Sequence, residues 1–588
     1  MARKMNHLFK KTTNKRLFFL FISWTIFGLF IIARLFQLQV LNYTHYRGLA
    51  TQQHNIYKKL VPKRGEIFFQ DPKGILKDIQ SKYGSNFYPA AINRNYVLVW
   101  ADASLITDKT QTGKILSQIL QLNEKEVLDK LLTNREYIAL KRKISLSEER
   151  VIKEKKLLGV YTDTEAIRYY PVSNIGSHIL GFVGYMGDEL SGRSGLEYSF
   201  NDVLAGKGGF LRAEKDPSGT WIPLEDKESM QAINGDDLIL TVDYNIQLKV
   251  CNELSEWVKK YESNGGTVVI ADVKTGAIIA MCTVPNYDPN NYSKVTDSKL
   301  FKNSAITDQY EPGSIFKAIT MAAGLDTGRV HPNTIYDDIG TLRIGGYKIQ
   351  NSDYKAHGEQ TMIQVLEKSL NTGVVFVANK VGSDTFGRYV NAFGFGLPTE
   401  ITMPGEAMGD VRSIDKRGEI YLATASFGQG VSVTPLQILM AYGAIANDGK
   451  LMQPYIVKEI RKPNGDVVVA SPKIVTTSIS ADTAHTLSAM LINVVDNGHG
   501  KRAGVAGYYI AGKTGTAQVP KKDGSGYEAD KLIGSFVGFG PVYNPKFVML
   551  VKVDNPQGVK FAESSAAPLF GKLAKFMLNY YEIVPDRK

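Results

Sequence analysis

Residues 311–317 read EPGSIFK, from Glu311 to Lys317, and the rest of the chain is organised around them. Ser314 and Lys317 stand in the spacing Ser-x-x-Lys. If a helix starts after Pro312 and Gly313, Ser314 lies at its N-terminus and Lys317 on the same face one turn on. A serine hydroxyl is a weak nucleophile until a base takes its proton, and a desolvated lysine can be that base. The helix N-terminus adds backbone N–H groups and a positive dipole end, which favour developing negative charge. Taken alone the pair is weak evidence, because chance supplies such pairs on solvated helix faces.

Two motifs downstream complete a set. Ser369-Leu370-Asn371 lies in EKSLNTG, 55 residues on, and Lys513-Thr514-Gly515-Thr516 lies in IAGKTGTAQ, 144 residues further. Acyl transfer needs a nucleophile, a base, a proton path to the leaving amine and donors for an oxyanion. Ser314 fits the nucleophile and Lys317 the base. Ser369 can relay a proton, and Asn371 can hydrogen-bond Lys317 or a substrate amide. A Lys-Thr-Gly strand facing the serine brings Lys513 close, and Gly515 lets substrate backbone approach. Thr514 and Thr516 offer hydroxyls to a substrate carboxylate. The backbone N–H groups of Ser314 and Thr516 would form the oxyanion hole. A second Lys-Thr-Gly, at Lys274-Thr275-Gly276, has the flanks of a hairpin turn and no such context. The ordered triple is much harder to obtain by chance than any member.

Around these motifs, residues 234–581 mix helices and strands. GDDLILTVDYNIQLKVCNELSEWVKKYE passes from a strand into an amphipathic helix, and GGTVVIADVKTGAIIAMCTV reads as a hairpin. A mixed sheet flanked by helices is the expected architecture. Upstream, residues 41–233 read as short strands and turns with a few helices. RGEIFFQDPKG from Arg64 is a strand entering a turn, LSEERVIKEKKLLG is a solvated charged helix, and glycine is dense from Gly176 to Gly219. No nucleophile–base spacing occurs there, so this part reads as a structural pedestal.

The formal charge of +12 is unevenly spread. Residues 1–65 hold twelve Lys or Arg and no acid, leaving 58 basic against 58 acidic residues over 66–588. A basic end on a neutral body points to a membrane-proximal segment and away from nucleic acid. Leu17 to Ala33 carries no charge, and the apolar stretch continues past Arg34 to Val40. That predicts a membrane anchor over 17–40, a cytoplasmic tail over 1–16 and an extracytoplasmic body. No small-x-small cleavage site follows the run. Cys251 and Cys282 fit small buried residues of a helix and a strand; outside the cytoplasm a disulfide is the alternative. No Cys/His cluster or H-E-x-x-H appears, so neither a metal nor a cofactor is expected.

The three motifs are of the kind found in penicillin-binding proteins and serine β-lactamases. LTVDYNIQ, KTGAIIAM, PNYDPN, EPGSIFK, FGQGVSVTPLQ and GKTGTAQ make residues 234–581 resemble a penicillin-binding transpeptidase domain. ARLFQLQV, RGEIF, IGSHILGFVG and SGLEYSFNDVLAGKGG resemble the anchor and pedestal of the class B proteins. The resemblance implies an α+β fold: a transpeptidase-like domain on a β-rich pedestal (41–233), one transmembrane helix, and a short tail over 582–588. It implies a D,D-transpeptidase that attacks terminal D-Ala-D-Ala of peptidoglycan stem peptides, releases D-Ala and passes the acyl group to an amine. β-Lactam antibiotics would acylate the same serine. Catalytic roles would fall to Ser314, Lys317, Ser369, Asn371 and Lys513, and substrate binding to Thr514, Gly515 and Thr516.

The stretch from Gly512 to Gly558 and the absence of an appended domain before Lys588 resemble the septal, cell-division type, with the elongation type as the alternative. The resemblance also implies a polytopic glycosyltransferase and other division proteins as partners, besides lipid around the anchor. Two positions depart from the family pattern. FQDPKG replaces the usual turn after RGEIF, and His499 in DNGHGKRAG stands where threonine is common. A secreted β-lactamase is disfavoured, because no Glu-x-x-Leu-Asn segment lies between Ser369 and Lys513. A signalling receptor or scaffold is disfavoured by the short cytoplasmic tail and the three intact motifs.

Overall fold

A computed structural model describes residues 2–43, 55–74, 82–133, 135, 137–186, 189–215, 221–222, 230–521 and 526–587. The chain divides into two compact units, one of Met1–Pro62 with Gly206–Asn234, the other of Lys63–Ala205 with Gly235–Lys588. The first unit holds a long N-terminal helix, Ala2–Phe36, and a three-stranded sheet of Asn55–Leu60, Gly209–Lys215 and Trp221–Ile222. Leu17–Leu41 is apolar, with mean hydropathy 2.1, and none of it is buried. Its 25 residues would reach about 37 Å as an α-helix, enough to cross a hydrocarbon core of about 30 Å.

The second unit is built on two sheets. A seven-stranded sheet runs Val467–Val469, Val457–Arg461, Asp237–Asp243, Ile67–Gln70, Phe87–Ala101, Ile138–Ile144, with Val160–Tyr169 also on Phe87–Ala101. Sequence suggested only short strands upstream of Asn234. Phe87–Ala101 is instead 15 residues long, because it pairs with a different neighbour along each part of its length. Asp237–Asp243 runs parallel to Ile67–Gln70, so one sheet takes strands from both sides of residue 234.

Buried charge fixes this region internally. Glu197 is fully buried and is paired with Arg64 at 2.7 Å and Arg168 at 2.6 Å. Burial would raise its carboxyl pKa, but the two guanidiniums outweigh it and hold the group below the ordinary value. The unusual FQDPKG turn closes with Gly74 N–H donating to Asp71. Its buried Asp71 carboxylate accepts from Asn245 Nδ2 at 2.8 Å. The turn is thereby tied to the helix that follows Asp243.

That helix, α1, spans Tyr244–Lys260 and is N-capped by Asp243, which accepts from the N–H groups of Asn245 and Ile246. Then come β1 (Gly265–Asp272) and β2 (Ile278–Val284), the expected hairpin, with the second Lys-Thr-Gly at its turn. Helices α2 (Lys317–Asp326), α3 (Asn371–Val381) and α4 (Pro435–Ala446) follow. The chain ends with β3 (Ala511–Pro520), β4 (Tyr527–Gly540), β5 (Phe547–Asp554) and α5 (Ala566–Tyr580). The strands form one antiparallel sheet in the order β2-β1-β5-β4-β3, which leaves β3 at an edge. All residues of α4 are buried, and it opens with a Thr434–Gln437 capping box and Pro435 at its first position.

Cys251 on α1 and Cys282 on β2 form a disulfide, with Cα atoms 5.6 Å apart. Of the two readings the sequence left open, the bonded one holds, because α1 packs on the hairpin and sets the two residues side by side. Gln247 supports the same contact, exchanging hydrogen bonds with the Met281 backbone. The bridge closes a separation of 31 residues. Replacing both cysteines by serine is expected to lower unfolding stability by about 3–4 kcal/mol, measured in denaturant under oxidising conditions. A reductant should reproduce most of that loss in the native protein.

Candidate active site

The nucleophile turn is held from three directions. Gly313–Phe316 forms a single 3₁₀ turn that runs straight into α2, so Ser314 precedes the α-helix proper. Tyr442 of α4 donates to the Ile315 carbonyl at 2.7 Å. Gly313 N–H donates to the Gly428 carbonyl, and the Glu311 carboxylate accepts from Gly430 N–H at 2.9 Å and Tyr527 Oη at 3.0 Å. Burial pushes the Glu311 carboxyl pKa up, although these two donors oppose the shift. A side chain at Gly428 would meet the Gly313 carbonyl at 2.4 Å, so FGQG serves close packing against the turn.

Edge strand β3 lies against the same turn. A Cβ at Gly515 would come within 2.9 Å of both the Pro312 carbonyl and Ile315, and within 2.7 Å of Ser535 Oγ. The sequence assigned this glycine to substrate approach. Its bare side also lets the strand close on the nucleophile turn. As an edge strand, β3 leaves alternate N–H groups unpaired by a neighbouring strand, as an oxyanion donor at Thr516 requires.

Ser369 sits between the helices Met362–Glu367 and α3 with φ of 54°, a left-handed conformation unusual for serine. Lys317 Nζ donates to the Ser369 carbonyl at 2.6 Å and lies 3.1 Å from its Oγ. Lys513 Nζ lies 3.0 Å from the same Oγ. Both lysines are 0% exposed. Burial drives the Lys317 pKa well below the ordinary lysine value, and the nearby Lys513 charge adds to it. Burial alone brings Lys513 down to about 7. Two ammonium groups around one hydroxyl oxygen repel each other, so the pair loses its first proton easily.

Ser314, Ser369, Thr514 and Thr516 open into one cavity of about 500 Å³. Ser352, Asp353, His357 and Lys368 contribute to its wall, as do His499 and the segment Phe561–Glu563. Lys317 and Lys513 reach the cavity through Ser369 rather than lining it. Asn371 is placed differently from one sequence expectation. Its Nδ2 donates to the Gln350 carbonyl at 2.7 Å, and among the described residues no hydrogen bond joins it to Lys317. Sequence reasoning also missed Asn351. Its Oδ1 accepts from the N–H groups of Asn371 and Thr372, capping α3 from outside the helix, while its amide is held by buried Asp338. No local spacing signals a cap drawn from 20 residues away.

A family model of the penicillin-binding protein transpeptidase domain matches residues 266–575, and one of the penicillin-binding protein dimerisation domain matches residues 60–240. The chain belongs to the class B penicillin-binding proteins, the peptidoglycan D,D-transpeptidases. It is 33% identical to Stage V sporulation protein D of Bacillus subtilis, over 98% of this chain and 87% of that one. It is 30% identical to the peptidoglycan D,D-transpeptidase FtsI of Escherichia coli, over 85% and 83%. A crystal structure of penicillin-binding protein 3 from Mycobacterium tuberculosis, complexed with aztreonam, aligns with TM-score 0.69 and 25% identity, over 90% of this chain and 98% of that one. The α+β fold and the transpeptidase activity expected from the motifs are those of the family.

Proposed function

We propose that this penicillin-binding protein cross-links stem peptides through an acyl-enzyme on Ser314. The observation that carries this is the placement of one hydroxyl, Ser369 Oγ, within 3.1 Å of Lys317 and 3.0 Å of Lys513, in the cavity that holds Ser314. Neutral Lys317 takes the proton of Ser314 as its Oγ attacks the penultimate D-Ala carbonyl. The N–H groups of Ser314 and Thr516 receive the oxyanion. Ser369 relays that proton from Lys317 to the leaving D-Ala nitrogen as the peptide bond breaks, and Thr514 and Thr516 hold the terminal carboxylate with the Lys513 charge behind them. Asn371 keeps α3 and Gln350 in place and offers its carbonyl oxygen to a substrate amide. An incoming amine then attacks the ester, loses its proton through the same groups and frees Ser314. Residues 41–233 serve as pedestal, 234–581 as transpeptidase domain and 17–40 as the anchor, with the N-terminus in the cytoplasm.

The two lysines give this reading a pH signature. Lys317 must be neutral, and its depressed pKa makes acylation rise with pH on the acid side. Lys513 must be charged, so acylation falls again as pH passes its value of about 7. The second-order rate of penicillin acylation should therefore rise with pH on the acid side and fall again above about pH 7. A rate still climbing at pH 9 to 10 would mean that the base keeps an ordinary lysine pKa and that acylation does not need a charged Lys513.

We assign the activity to septal wall synthesis, in partnership with a polytopic glycosyltransferase at the anchor. The identity to FtsI over most of both chains supports this. Depleting the protein should give filaments whose septa fail to close. The identity to Stage V sporulation protein D over 98% of the chain favours a second reading, wall synthesis during sporulation. Normal division with defective spores would select it, and rounded, dividing cells would select the elongation machine.

A further inference from the structure

We infer that Glu563, steadied by His499, forms a subsite for a primary ammonium group of a stem peptide. The inference rests on the transpeptidase reading and extends it to substrate selection. The His499 imidazole faces the cavity that holds Ser314. Its Nδ1 lies 2.9 Å from Glu563 Oε2, and both side chains remain partly open, at 49% and 40% exposure.

Glu563 is not a loose surface acid. The preceding residue, Ala562, donates its backbone N–H to Thr516 Oγ1 at 3.1 Å, which pins the segment Phe561–Glu563 to β3. The carboxylate therefore stands at a fixed reach from the nucleophile. The other carboxylate in the wall, Asp353, is paired with His357 at 2.9 Å, and Lys368 is engaged by Gln360. Among the described residues, Glu563 has no lysine or arginine counter-ion. The Glu563 carboxylate is held at the cavity wall by its contact with the His499 imidazole. Phe561, 50% exposed, lines the wall beside it. An apolar stem could lie on that ring while its charged end reaches the carboxylate.

The reaction itself supplies such a group, since transfer consumes a primary amine on a neighbouring strand. The ammonium bound at Glu563 has two sources, that acceptor amine or the equivalent side chain of the donor peptide. The test uses the full chain in detergent and two peptides ending in D-Ala-D-Ala, with lysine or norleucine at the preceding position. Donor binding predicts that the lysine peptide acylates the protein about three- to tenfold faster, a partly exposed ion pair being worth no more than this. That ratio should fall to about one in Glu563→Gln and below one in Glu563→Lys. Acceptor binding predicts no donor preference, but about three- to tenfold less transfer to Nα-acetyllysine in Glu563→Gln. Unchanged donor ratios together with unchanged transfer would overturn the inference. Penicillin acylation of the native protein separates the two levels. If it occurs and both arms are flat, the subsite alone fails. If it does not occur, the transpeptidase reading fails with it.

Discussion

Replacing Ser314 by alanine is expected to abolish the covalent penicillin adduct while leaving the protein folded. Ser314 contributes a hydroxyl to the cavity and only backbone to the turn. The turn is held by Tyr442 on the Ile315 carbonyl and by Gly428 on Gly313 N–H, and neither bond involves the Ser314 side chain. Alanine fits a helical turn without strain. Loss of the oxygen removes the atom that bonds to the acyl carbon, so no slower route through the same site remains. Intact-mass measurement after penicillin treatment reads the result directly. A stable adduct on folded Ser314→Ala protein would place the nucleophile elsewhere.

Lys317→Ala should slow acylation by about 10²–10⁴-fold, the usual contribution of a positioned proton-transfer group. The case rests on burial. Lys317 is fully enclosed and, among the described residues, has no carboxylate partner and donates only to Ser369. Such a lysine would cost stability if it stayed charged, and its depressed pKa makes the neutral, basic form accessible. Alanine also leaves a void, so Lys317→Met, which fills it, separates packing from chemistry. Both variants should be slow, and Lys317→Met should unfold close to the native midpoint. Rapid acylation of Lys317→Met would transfer the role of base to Lys513.

Much of this was readable before any coordinates. Ser314, Ser369 and the Lys-Thr-Gly strand are local motifs, and the fold gathers Ser314, Ser369, Thr514 and Thr516 around one cavity. The helix after Asp243 and the hairpin after Gly265 were legible from periodicity and turn residues. What was not legible depends on distance in sequence. The partners of Arg64, the cap on α3 from Asn351 and the left-handed φ of Ser369 come from tertiary packing, which no local pattern encodes. A second need for glycine at position 515 was not legible, for a similar reason. A glycine beside a nucleophile suggests room for substrate, and only the packed turn shows that Pro312, Ile315 and Ser535 fill that side. The Cys251–Cys282 bond also needed the docking of α1 on the hairpin, since 31 residues of separation fix no geometry.

The most direct measurement of the central claim is a single-turnover reaction with a peptide ending in D-Ala-D-Ala, followed by intact-mass and peptide mapping. The predicted result is one D-alanine released per chain and a mass gain equal to the peptide less that D-alanine, located on the peptide containing Ser314. Release of D-alanine without a covalent intermediate, or an adduct on any other residue, would contradict the account.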